Sequence, residues 1–219
     1  MEQSGIAQLI DHTLLRPDAT IADVRALCEE AMRFGFHSVC VNPFFVPEAN
    51  ALLSESGVKV TTVIGFPLGM TFTQVKVYEA MEAVLRGSEE LDIVMNIGMA
   101  KSGRWRDVQK DISDVISATK GIVHKVIIEA CYLTREEKGE ASRMVLEAGA
   151  GFVKTSTGFG PGGATVGDIH LVRSVVKGRC GIKASGGIKS LGQVREFIAA
   201  GATRIGTSSG VAIMEESRR

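Results

Sequence analysis

With 219 residues, 45% of them hydrophobic and 23% charged, the chain is long enough to bury a full core, and its composition excludes both a disordered and a membrane-embedded class. Lys plus Arg (25) offset Asp plus Glu (25), so no broad basic surface is available for nucleic acid or an anionic membrane, and a bound anion must meet a local pocket. The first ten residues lack the basic-then-apolar order of a signal peptide, and Cys28, Cys40, Cys131 and Cys180 form no CxxC pair, so a reducing cytoplasm is expected.

In chain order, a first strand is predicted near Leu9–Thr13, followed by Asp18 and Thr20 ahead of a helical pattern over Ile21–Arg33. A helix ending in Gly and leading into a β-branched run then recurs four times: in Arg33–Pro43, Arg86–Gly98, Glu147–Gly158 and Ala199–Gly210. Gly at a helix end takes the left-handed cap, and the apolar run after it reads as a buried strand. The remaining strands fall near Ser38–Asn42, Val60–Gly65, Leu91–Asn96, Lys125–Glu129, Phe152–Thr155, Gly181–Ser185 and Arg204–Thr207. Helices are predicted between them, among others over Thr73–Arg86, Arg106–Lys120 and Thr134–Ala148, the last opened by the capping box Thr134-Arg-Glu-Glu137. Trp105, with Lys101, Arg104 and Arg106 around it, reads as a solvated helix start.

Eight strands alternating with helices require parallel pairing and right-handed crossovers, and eight such units close a barrel. The expectation is a single (β/α)8 TIM barrel over residues 1–219 with a short N-terminal segment. An open doubly wound sheet is disfavoured, because no Gly-rich dinucleotide fingerprint follows the first strand.

In a barrel the chemistry sits at the C-terminal ends of the strands, and several of these ends carry charge: Asp11, Asp92, Glu129, Lys154 and Lys183. Lys154 and Lys183 lie at equivalent depth on neighbouring strands. Two ammonium groups in one small pocket repel, and burial disfavours charge further, so one of them should be neutral and nucleophilic. A neutral amine attacks an aldehyde to form a Schiff base, and the protonated imine draws electrons from the adjacent carbon–carbon bond. Asp92 is the candidate for the accompanying proton traffic, against the plainer reading of a buried salt bridge. Gly186-Gly187 after the seventh strand and Gly206-Thr-Ser-Ser-Gly210 after the eighth offer backbone donors to a phosphate, with Lys189 and the Ser156-Thr-Gly158 turn adding to them.

Lys154-Thr-Ser-Thr-Gly158, Val63-Ile-Gly-Phe-Pro-Leu-Gly69, Leu9-Ile-Asp-His-Thr-Leu-Leu15 and Gly206-Thr-Ser-Ser-Gly210 together resemble the deoxyribose-phosphate aldolase family, over about Ile6 to Ala212. The resemblance implies a class I aldolase that reversibly cleaves 2-deoxy-D-ribose 5-phosphate to D-glyceraldehyde 3-phosphate and acetaldehyde in deoxynucleoside catabolism. It implies Lys154 as the Schiff-base lysine, Lys183 as the group that lowers its pKa, and Asp92 as a proton donor or acceptor working through water. It further implies Asp11 and Thr13 as supports of the hydrogen-bond network, Gly158, Gly186, Gly187, Ser208 and Ser209 around the phosphate, and Cys40 near the aldehyde without a chemical role. Phe159 stands where some members carry a basic residue, and Arg219 ends the sequence short of the tyrosine-ended tail of some members.

His12, His37, His124 and His170 show no ligand spacing, so neither a metal nor another cofactor is assigned. Glu129 is taken as structural support. Expected partners are small sugar phosphates and aldehydes, with no nucleic acid or membrane. A homodimer or higher homo-oligomer is compatible with the outer helices, though no sequence feature selects an interface. Two alternatives stay open at this level: a Schiff-base aldolase for another sugar phosphate, and a barrel that binds a sugar phosphate without turning it over.

Overall fold

Alternation of apolar and polar residues decides which way each strand's side chains point, and here it separates two interiors. The computed structural model describes residues 3–218. Eight parallel strands close on themselves in sequence order: β1 (Ile10–Leu14), β2 (Ser38–Val41), β3 (Lys59–Ile64), β4 (Glu90–Val94), β5 (Val123–Ile127), β6 (Phe152–Lys154), β7 (Gly181–Ser185) and β8 (Arg204–Thr207). Closure is made by β8 pairing with β1, Asp11 opposite Gly206. This is the TIM barrel expected from the sequence, with the bounds of β7 and β8 as expected and those of the other strands within two residues.

The helices on the outside are α1 (Gln3–Ala7), α2 (Ile21–Phe34), α3 (Val46–Leu53), α4 (Thr73–Leu85), α5 (Ile97–Lys101), α6 (Trp105–Ala118), α7 (Arg135–Glu147), α8 (Val166–Val176), α9 (Leu191–Ala200) and α10 (Gly210–Glu216). Local chemistry sets their ends. Thr20 and Thr134 each accept from the backbone N–H three residues on, while Asp23 and Glu137 reach back to the cap, so both form capping boxes. At the other end of α2, Gly35 takes φ 67° and donates to the carbonyls of Ala31 and Met32. Trp105 does open a helix, with Arg104 bonded to Asp107 at 2.6 Å and Lys101 to Glu137 at 2.8 Å.

Between sheet and helices lies an apolar shell in which outward strand residues such as Val39, Val126, Val153, Ile182 and Ile205 pack with Val24, Val108, Val145, Ile169 and Val194. Each buried aliphatic side chain there contributes about 1.5–3 kcal/mol relative to exposure. The space inside the barrel is different. Its fully buried residues include Asp11, Ser38, Thr61, Asp92, Lys125 and Lys183, where barrels of this class place mostly branched aliphatic residues. A charged interior of this kind persists only if every charge finds a partner.

Candidate active site

The strand register brings the inward charges together. Asp92 pairs across the ladder with Lys125, Lys154 with Lys183, and Lys183 with Arg204. Asp92 is the hub: its Oδ2 accepts from Lys154 Nζ and from Lys183 Nζ, each at 2.7 Å, and its Oδ1 accepts from Lys125 Nζ at 2.8 Å. Lys183 also reaches Asp11 Oδ2 at 2.5 Å, while Asp11 Oδ1 accepts from Ser38 at 2.8 Å and from Arg204 at 2.9 Å. Deeper in the barrel, Glu90 accepts from Arg204 at 2.8 Å, is paired to Lys125 at 2.8 Å, and bonds His37 at 3.0 Å.

Counting charge along this ladder separates the two neighbouring lysines. Lys125, Lys154, Lys183 and Arg204 face only Asp11, Glu90 and Asp92, so one cation is in excess in a space shut off from water. Burial opposes the charge of both Lys154 and Lys183. For Lys183, flanked by Asp11 and Asp92, the two carboxylates win, and its pKa stands above the ordinary lysine value. For Lys154 burial wins: Asp92 pulls the pKa up, the Lys183 ammonium pushes it down, and the net position is below the ordinary value. Repulsion between the lysines therefore acts, as the sequence suggests, but burial is the larger cause. Asp92 itself is held well below the usual carboxylate range against its burial by Lys125, Lys154 and Lys183.

Lys154 is also the ammonium-bearing residue of this set that opens on a cleft. A cavity of about 360 Å³ at the C-terminal end of the barrel is lined by Lys154, Thr13, Thr157, Gly158, Phe159, Gly186, Gly187, Lys189 and Ser208, among others. Gly158 (φ 86°), Gly186 (φ 88°) and Gly187 (φ 77°) hold left-handed conformations that a side chain would strain. The Gly163 Cα lies so close to Gly186 that an added Cβ would stand 2.1 Å from the Gly186 carbonyl oxygen. Two glycine-rich loops, after β6 and β7, thus interlock beside the lysine.

The remaining residues singled out from sequence are placed less uniformly. Thr13 lines the cleft, and its hydroxyl donates to the Asp11 main-chain carbonyl at 2.9 Å. Ser209 lies outside the cleft lining; its N–H donates to Thr207 Oγ1 at 2.9 Å at the start of α10. Cys40 is buried below the mouth with Leu15, Val63 and Phe66, and burial pushes its thiol up to about 11, so it stays a neutral wall. Glu129 lies just past β5 rather than on it, at φ 47°, and accepts from the Thr157 N–H at 3.2 Å and from the Thr157 hydroxyl, which fixes the loop after β6. Of its neighbours, Ser156 keeps a buried hydroxyl with no hydrogen-bond partner among the described residues.

Glu90, Lys125 and Arg204 escaped the reading of strand ends because they lie one layer deeper. The period of two would have found Glu90, since an inward Asp92 requires an inward Glu90. Asp11, His37 and Glu90 bring possible ligand atoms within 4.8 Å of one another. Both carboxylates are already occupied by Lys183, Arg204 and Lys125, so this cluster is a charge ladder rather than a cation cage.

A lysine amine of lowered pKa, a carboxylate beside it and glycine loops thus meet at one barrel mouth. The profile described as DeoC/LacD family aldolase matches residues 6–216. A protein of Carboxydothermus hydrogenoformans named deoxyribose-phosphate aldolase is 58% identical over 98% of this chain and 96% of its own length. Another of that name from Thermococcus gammatolerans is 55% identical over 97% of this chain and 96% of its own. The structure described as the unique tetrameric deoxyribose phosphate aldolase from Aeropyrum pernix superposes with a TM-score of 0.93 at 35% identity, over 99% of this chain and 92% of that one. With fold, charged barrel mouth and full-length identity in agreement, the chain belongs to the DeoC/LacD family of aldolases.

Proposed function

We propose that the protein is a class I deoxyribose-phosphate aldolase whose Schiff base forms on Lys154. The observation that carries the assignment is the asymmetry of the two lysines on Asp92 Oδ2: Lys183 is clamped between two carboxylates, whereas Lys154 shares one and faces the cleft.

In the cleavage direction, the Lys154 amine adds to the C1 aldehyde of open-chain 2-deoxy-D-ribose 5-phosphate. Loss of water from the carbinolamine leaves a protonated imine. As the C3 hydroxyl gives its proton to Asp92 through water, the electrons of the C2–C3 bond move toward the imine nitrogen. D-Glyceraldehyde 3-phosphate leaves, and the remaining enamine takes a proton at C2. Water then hydrolyses the imine, restoring the amine and releasing acetaldehyde. Lys183 stays charged, keeps Asp92 ionised and adds to the positive potential that favours the neutral form of Lys154. Gly158, Gly186, Gly187, Lys189 and Ser208 take the phosphate, which meets main-chain donors in a pocket rather than a basic surface. Asp11 positions Lys183, and Cys40 walls the aldehyde end.

Deoxynucleoside catabolism in the cytoplasm is the setting that fits this substrate. Among the described residues no helix is long and apolar enough to cross a membrane, and all four cysteines are free thiols. Self-association belongs to the same proposal, on the analogy of the Aeropyrum pernix protein.

Reduction with borohydride in the presence of acetaldehyde, followed by peptide mass analysis, tests the assignment. An ethyl adduct confined to Lys154, absent from Lys154→Ala, is the expected result. An adduct on Lys183 would reverse the two roles, and binding of the sugar phosphate with neither adduct nor turnover would sink the aldolase reading.

A further inference from the structure

The rim of the cleft is uneven in charge. Taken around the barrel mouth, Lys154 and Phe159 belong to β6 and the loop after it, Gly187 and Lys189 follow β7, Ser208 follows β8, and Arg16 follows β1. The ring of loops closes because β8 pairs with β1, with Thr207 opposite His12. The Thr207 hydroxyl also donates to the Ile188 carbonyl at 2.7 Å, which ties the loop after β8 to the loop after β7. A phosphate on the turns after β7 and β8 therefore has a hydrocarbon ring, Phe159, on one flank and a guanidinium, Arg16, on the other.

The main chain at Arg16 is held in place. Its carbonyl accepts from the Ala19 N–H at 3.2 Å, and the Leu15 carbonyl before it accepts from Asn42 at 3.2 Å. The side chain is held only by exposed partners: 45% exposed itself, it meets Asp18 at 2.8 Å through Nη1 and Asp23 at 2.7 Å through Nη2. Exposed ion pairs of this kind contribute little. Neither carboxylate depends on Arg16. Asp23 also accepts from the Thr20 N–H at 2.8 Å and the Thr20 hydroxyl at 2.7 Å in the capping box of α2, and Asp18, 78% exposed, is solvated by water. Release of Arg16 therefore strands no ion, unlike release of Lys125 or Lys183 inside the barrel.

We propose that Arg16 is a specificity-determining cation of the cleft, turning its guanidinium from Asp18 and Asp23 to the phosphate when a phosphorylated substrate binds. The two nitrogens that now hold one carboxylate each form the planar fork that a phosphate accepts with two oxygens. A phosphate monoester carries roughly two negative charges near neutral pH, more than either carboxylate. The glycine turns supply dipoles, so the exchange adds a full positive charge on the flank opposite Phe159. Asp18 and Asp23 hold Arg16 back until that charge arrives, which gives the two sides of the ion pair opposite effects on affinity. The identity of the sugar rests on the aldolase reading, whereas the preference for a phosphate rests on Arg16.

Calorimetric titration with D-glycerol 3-phosphate, which has the phosphate but no carbonyl to react, decides the proposal at low ionic strength. Relative to wild type, affinity is expected to fall about tenfold in Arg16→Gln and by less than about threefold in Arg16→Lys, which keeps the charge without the fork. In Asp18→Asn it is expected to rise by roughly two- to threefold. The ratio of kcat/KM for 2-deoxyribose 5-phosphate to that for 2-deoxyribose should change in the same order. Equal affinity in wild type and Arg16→Gln overturns the proposal, as does absence of binding by wild type. A loss of affinity in Asp18→Asn overturns it too, because the ion pair then shapes the loop instead of restraining the guanidinium. Failure of wild type to turn over 2-deoxyribose 5-phosphate counts against the aldolase reading and leaves the titration standing.

Discussion

Phe159 puts a hydrocarbon face at the edge of the cleft, half exposed and edge-on to Phe66 with ring centres 5.2 Å apart. In the proposed site the glycine loops offer a phosphate main-chain donors, but a main-chain donor carries no full charge; besides Lys154 the cations in the cleft lining are Lys189 and Arg16, the latter paired with Asp18 at 2.8 Å and Asp23 at 2.7 Å. An ammonium at position 159 would add a Coulomb attraction of about 1 kcal/mol in this exposed setting. Phe159→Lys is therefore expected to lower KM for 2-deoxyribose 5-phosphate by roughly 3- to 10-fold at low ionic strength, an advantage that fades with added salt. KM for unphosphorylated 2-deoxyribose should not fall, since it has no charge to meet. Steady-state kinetics on the two sugars at two salt concentrations separates this from a general change in the mouth; an equal gain on both sugars would refute it.

At the level of elements, α4 is tied to its neighbours by a buried ion pair outside the barrel. Lys76 donates to Asp111 on α6 at 2.6 Å and to the Val94 carbonyl at the end of β4 at 2.9 Å, and Thr73 donates to the other Asp111 oxygen at 2.8 Å. Removing one partner leaves a stranded charge, so Asp111→Ala should cost about 3–5 kcal/mol, while the double change Lys76→Met with Asp111→Leu should cost far less. Urea unfolding of both variants checks this; equal losses would mean that the pair is worth its Coulomb energy rather than its mutual neutralisation. This pair also shows what the sequence hides. The helix-to-strand junctions were legible because Gly caps and β-branched runs are local signals, and Gly35, Gly87, Gly149 and Gly201 all take the positive φ that this reading requires. Asp92, Lys154 and Lys183 were legible because a charge inside an apolar run is conspicuous. Lys76 and Asp111 lie 35 residues apart on helices where a charge is ordinary, and only tertiary packing reveals that these two are buried. Ser209 was placed near the phosphate by its motif, but its direction depends on how α10 begins.

For the molecule as a whole, the charge count inside the barrel sets stability against chemistry. Four cations face three carboxylates, and the surplus falls on the lysine that opens to the cleft. Replacing Lys154 by Met removes the surplus: Asp92 keeps Lys125 and Lys183 as partners at 2.8 and 2.7 Å, and no ion is stranded. The expected result is a protein with no aldolase turnover but greater stability, by roughly 1–2 kcal/mol, the size typical of relieving strain at a functional site. Lys183→Met is the opposite case. Three cations still face three carboxylates, but Asp11 loses its 2.5 Å partner and Asp92 one of three, so two buried carboxylates lose a direct contact at once, which should cost about 3–5 kcal/mol. The two substitutions are chemically identical, sit opposite each other on β6 and β7, leave the same total charge and are both expected to abolish turnover, so their difference in urea midpoint isolates which carboxylate contacts are lost. A destabilised Lys154→Met, falling in step with Lys183→Met, would mean that Lys154 serves the barrel as a structural counter-ion and that its amine is not the one held ready for the aldehyde.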